Sequence, residues 1–138
     1  MNISVQDIAK IQYTEYVLSD LANTKTQDWN KFQELSTQIN VLKTSDLSFF
    51  QDDKTTLETF INDLKNDIPV DLKVPSILVR LNVFETTAYK LEGISKLGNI
   101  NKATTLLYIK DILVAYTNLV FQINKKIEKD NQSIDKPY

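Results

Sequence analysis

Apolar residues recur along this chain at three- and four-residue intervals, the spacing that gathers them on one face of an α-helix. A first stretch opens at Ser4, which with Asp7 has capping-box spacing, and continues with Ile8, Ile11, Leu18 and Leu21 on one side. The polar patch NTKTQD, residues 23–28, interrupts it, and Trp29, Phe32, Leu35, Ile39 and Leu42 resume it. Residues 11, 18, 21, 32, 35, 39 and 42 share one a/d frame. That register predicts one long helix over 4–43, straight or bent, with Lys25 and Asp28 in core-frame slots; the alternative is two helices with a tight corner near Thr24.

A polar break near Ser45 precedes Phe49 and Phe50, and a second capping box, Thr55 with Glu58, introduces Leu57, Phe60, Ile61, Leu64 and Ile68. Pro69 stops this helix. A third stripe, Ile77, Leu81, Phe84, Ala88 and Leu91, ends at Leu97 and Gly98, where glycine suits a left-handed C′ position. The last helix keeps Leu106, Ile109, Leu113, Tyr116, Val120, Ile123 and Ile127 in one frame, flanked by Ile112 and Leu119. So wide a stripe needs partners on two sides and marks the centre of a bundle. Between the second and third stripes, Ile68 and Val74 each precede a proline and are biased to extended backbone, while Pro75 suits a first helical turn. Residues 68–75 therefore read as an extended crossover between helices; the alternative is an exposed extended segment that a partner pairs with. The fold expected is all-α, an antiparallel bundle of four or five helices with one extended crossover, over a single domain 1–131 followed by a frayed tail, 132–138.

Composition supports this and removes chemistries. With 138 residues, 42% of them hydrophobic, the chain is sized for one core, and 2 Gly with 3 Pro leave few hairpin turns. A net charge of −2 gives no basic footprint for nucleic acid. Residues 46–68 carry six acids against two lysines and residues 100–131 five lysines against three acids, an asymmetry that solvated helix faces explain. No uninterrupted apolar run approaches the roughly 18 residues that span a bilayer, so no transmembrane segment is expected.

The chain has 0 His and 0 Cys. Triads of Ser-His-Asp or Cys-His type, structural zinc and Glu-x-x-His di-iron sites are thereby excluded, and two glycines cannot build a phosphate loop. Carboxylate pairs remain at Asp63 with Asp67 and at Asp52 with Asp53. Neither neighbourhood is apolar enough to raise a pKa for acid catalysis, so no catalytic residue, metal ligand or cofactor site is assigned. Arg80 is the one arginine among 16 basic residues and reads either as a stem packed beside the core, its head paired to an acid, or as an anchor for a carboxylate. Glu85 and Glu92 are spaced to flank a helix contact, and Gly93 inside a helix suggests close approach of another backbone. Trp29, Tyr13, Phe49 and Phe50, with Arg80, are the candidate contacts for a partner or ligand, against the alternative that the aromatics are core.

The stretch IPVDLKVPSILVRLNVFETTAYKLEG, about a fifth of the chain, resembles small uncharacterised helical envelope proteins, often lipoprotein-like, of the Bacteroidota. No lipid-bearing cysteine is present. The resemblance implies a mature exported domain of no known activity and assigns no functional residue. A periplasmic or cell-surface location follows if an export signal has been removed ahead of Met1, a cytoplasmic one otherwise. The expected function is a non-enzymatic helical interaction module whose partner is another protein or a second copy of the chain; the alternative is a small-ligand carrier with an apolar cavity between helices and Arg80 at its mouth.

Overall fold

The computed structural model describes residues 2–135. Seven helices, rather than four or five, and no strand occur among them: α1 Val5–Ala9, α2 Asp20–Thr26, α3 Asn30–Lys43, α4 Ser48–Gln51, α5 Lys54–Asn66, α6 Pro75–Ser95 and α7 Lys102–Asp135, with a 3-10 turn at Val70–Leu72. The all-α class is as expected.

The long helix over 4–43 does not form. The Ser4–Asp7 capping box closes as predicted, Ser4 Oγ accepting from the Asp7 amide at 3.1 Å and Asp7 Oδ2 from the Ser4 amide at 2.9 Å, but α1 stops after five residues. Residues 11–19, IQYTEYVLS, then run without helix, turn or bend. Two causes act together. Thr14, Val17 and the neighbouring tyrosines favour extended backbone over helix, and α7 supplies that backbone with partners: Thr117 Oγ1 accepts from the Tyr16 amide at 2.6 Å, and the Asn124 carboxamide accepts from the Ser19 amide at 3.0 Å while donating to the Val17 carbonyl at 2.9 Å.

Ser19 caps α2, its Oγ accepting from the Ala22 amide. The corner falls at residues 27–29, just past Thr24, because Trp29 leaves helical geometry (φ −84°, ψ 81°). Its indole N–H thereby reaches the Leu64 carbonyl at 3.0 Å, one of the four that the end of α5 leaves without an intrahelical partner. Gln33 Nε2 likewise donates to the Thr26 carbonyl at the end of α2.

α5 starts earlier than Thr55 and Glu58 imply. Asp53 is its N-cap, accepting from the Thr55 amide at 3.2 Å and the Thr56 hydroxyl at 2.9 Å, so no second capping box forms. Its predicted stripe, Leu57, Phe60, Ile61 and Leu64, is buried. The connection to α6 is extended at Pro69 and Val74 and interrupted by the 3-10 turn that buries Leu72; Pro75 takes the first helical position.

The stripe of α6 is buried as predicted, but Gly93 faces open space, so no backbone approaches it. Gly98 does not take a left-handed conformation either. Ser45, past the end of α3, does, with φ 75° and its amide donating to the Leu42 carbonyl. Six residues, 96–101, fold α7 back along α6, and these two helices share the most extensive contact in the molecule. α7 buries Ile109, Ile112, Leu113, Leu119, Val120, Ile123 and Ile127 into one core with side chains of every other helix. Although no uninterrupted apolar run is long enough, the described helix Lys102–Gln132 contains an 18-residue window of mean hydropathy 1.3, enough by length and composition to cross a membrane; 44% of that window is buried in the fold. α7 runs through the start of the expected tail to Asp135, and residues 136–138 lie outside the described residues.

Candidate functional site

Burial redistributes the five residues singled out from the sequence. Trp29 is 1% exposed, stacked on Phe32 with ring centroids 4.9 Å apart, and Phe50 is equally buried, edge-on to Phe84. Neither meets solvent, which corrects their assignment to a contact face: a tryptophan whose N–H finds a carbonyl and a phenylalanine in an aromatic cluster are core side chains. Phe49 is half-buried, edge-on to Phe50 and Phe60 at 5.0 Å. Arg80 is half-exposed on α6, and Glu85 bonds Lys65 and Tyr89 instead of it.

Tyr13 is half-buried against the core, in the extended segment. Its hydroxyl donates to Glu15 Oε2 at 2.8 Å, and Lys43 from α3 pairs with the same oxygen. This group separates two small cavities of about 290 and 270 Å³ that both reach Leu113 of α7. The Lys43 ammonium, seconded by the Tyr13 hydroxyl, holds the Glu15 carboxyl below its ordinary range. Burial, then the bond to Glu15, pushes the Tyr13 phenol up. Tyr116, in the larger cavity, is raised by burial too. The acid and the phenols are thus moved away from neutrality, opposite to what proton transfer near pH 7 needs.

A larger cleft, about 500 Å³, opens between α2, the α5–α6 connection and the end of α7. Leu72 and Ile127 form its buried floor, and Leu21, Lys25, Pro69 and Asp71 stand around it. The connection creates it: Pro69 ends the helical path, and the 3-10 turn that drops Leu72 into the core lifts Val70 outward to 84% exposure. Val17, 77% exposed, and Tyr16, whose ring lies 4.8 Å from Phe121, line the cavity of about 290 Å³ instead. Of the exposed apolar residues, Leu21 lines the cleft and Val70 falls between its lining residues Pro69 and Asp71 in sequence. Arg80 lines neither this cleft nor the two cavities. No group of three or more acidic side chains arranged to hold a metal occurs among the described residues.

Leu21 was legible only as a core position, because the a/d frame cannot show that the helix carrying it is two turns long. The signal that was available lies just upstream, in the β-branched and aromatic run of residues 13–17. No protein-family model, curated protein or solved structure matches the chain.

Proposed function

We propose that this protein is a non-enzymatic interaction module that receives an apolar side chain of a partner protein in the cleft over Leu72 and Ile127. The carrying observation is the conjunction of a concave apolar floor with exposed Leu21 at its edge and exposed Val70 between the lining residues Pro69 and Asp71 in sequence, the arrangement of an anchor pocket at a protein interface. A bacterial cell envelope as its setting rests solely on the resemblance of residues 68–93.

The test is capture from native envelope extracts by tagged wild type and by a Leu21→Asp, Val70→Asp double variant. Both positions are solvent-exposed, so the variant keeps its helicity. A stoichiometric partner held by wild type and lost by the variant supports the module; equal capture by both overturns it. One observation favours a second reading: the cleft volume falls in the range of small-molecule sites, about 300–1,000 Å³. A small-ligand carrier would bind an anilinonaphthalene sulfonate probe at the floor, with binding lost in Ile127→Asp and kept in Val17→Lys.

A further inference from the structure

The segment 11–19 is a nine-residue extended stretch in an otherwise helical chain, and α7 satisfies only part of its backbone. From Tyr16 to Ser19 three extended residues cover about 10 Å, the same length as the seven helical residues from Thr117 to Asn124. The Asn124 carboxamide takes the Val17 carbonyl and the Ser19 amide, the pair that one residue of a neighbouring parallel strand would take. Upstream there is no such substitute. Among the described residues, the main-chain amides and carbonyls of Gln12, Tyr13, Thr14 and Glu15 make no hydrogen bond within the protein. They form an open extended edge with strand-favouring Tyr13 and Thr14 at its centre, flanked by exposed Tyr16 and Val17.

We infer that a second copy of this chain pairs antiparallel with residues 12–16 through the same segment, Thr14 facing Thr14 as a non-hydrogen-bonded pair, so that Tyr13 and Glu15 of the two copies exchange their free amides and carbonyls while the Tyr16 amide stays on Thr117, giving a two-fold dimer. The segment is complementary to itself. With Thr14 opposite Thr14, Gln12 faces Tyr16, Tyr13 faces Glu15 and the β-branched Ile11 faces Val17, all favourable or neutral cross-strand pairs. Glu15 does not oppose its own copy, and Lys43 already neutralises it. A chain net charge of −2 puts little long-range repulsion between copies. A two-fold interface closes on itself, so the pairing consumes the edge rather than propagating it. The inference is independent of the cleft.

Sedimentation from about 10 μM to about 1 mM, the range of weak association, read together with amide exchange, tests it. Wild type shifts from monomer to dimer with concentration, and exchange at the Tyr13 and Glu15 amides slows roughly tenfold over that range. Thr14→Lys sets like charges directly opposite each other at the two-fold axis, and Val17→Lys puts a charge on the flank; both stay monomeric, with unchanged helicity and unchanged protection of the Tyr16 amide. A wild type that is monomeric throughout, or a dimer that both variants retain, overturns the pairing. A synthetic IQYTEYVLS peptide that protects residues 12–16 while the protein itself never dimerises overturns the second copy in favour of a foreign strand.

Discussion

At the scale of single residues, the unusual positions carry structural jobs, and each can be read as stability. Trp29 both fills the core and terminates α5 through its indole N–H. Trp29→Phe keeps most of the packing but leaves the Leu64 carbonyl unpaired, and is expected to cost about 1–3 kcal/mol in urea denaturation; Trp29→Ala should cost about 3–5 kcal/mol. Two further substitutions act in the opposite direction. Gly93 is exposed in mid-helix with open space where a Cβ would stand, so Gly93→Ala should stabilise by about 0.5–1 kcal/mol. Ser45 holds a left-handed backbone without being glycine, so Ser45→Gly should stabilise as well, by up to about 1 kcal/mol, as a rise in the urea midpoint. Why the sequence places its glycines at 93 and 98 and a serine at 45 has no explanation in the packing.

At the scale of elements, legibility in the sequence depends on whether local preference and apolar spacing agree. In α5, α6 and α7 they do: the residues at helical spacing are mostly good helix formers, Pro75 and Asp53 fit the starts, and the predicted stripes are the buried ones except for Leu106 and Tyr116, which are half-buried. In residues 11–19 they conflict. Ile11 and Leu18 hold the heptad frame, while Tyr13, Thr14, Tyr16 and Val17 prefer extended backbone, and the partners that decide the matter, Thr117 and Asn124, lie more than a hundred residues away. The candidate cleft was illegible for a related reason, since it depends on where the connection turns and on which side of it Val70 falls. Asn124→Ala withdraws the carboxamide from both Val17 and Ser19; we expect a loss of about 1–2 kcal/mol together with faster proteolytic cutting within residues 12–18, followed by mass spectrometry.

At the scale of the whole molecule, every helix contributes to one continuous core, so unfolding should be a single cooperative transition. Fluorescence of Trp29, the sole tryptophan, should therefore lose its native signal at the same urea concentration as the helical circular dichroism. The pH limits of that stability follow from groups around the periphery. Asp7 is held down to about 2, from an ordinary 3.8, chiefly by the Ser4 amide and then by Lys102; Glu15, Asp46 and Asp53 are also lowered. Carboxyls lowered in the folded state stabilise it above their unfolded values and lose that contribution as pH falls through the folded ones. The urea midpoint should thus fall between about pH 4 and pH 2, with the Asp7→Asn variant less sensitive. On the alkaline side Tyr89 is raised to about 12, by burial and then by its bond to Glu85, and Tyr116 is raised by burial. Phenols raised in this way leave stability intact below about pH 10 and erode it between about 10 and 12.

The attachment of residues 11–19 to α7 also orders events in time. The amide of Tyr16 and the hydroxyl that receives it are separated by 101 residues. A ribosome adding about 5–20 residues per second needs roughly 5–20 s to cover that distance. Throughout that interval the most strand-prone segment of the chain has been synthesised while the helix it rests on has not. A cell making this protein must keep IQYTEYVLS from pairing with neighbouring nascent chains until α7 emerges, and slow translation or crowded polysomes will lower its yield before any flaw in the finished fold does.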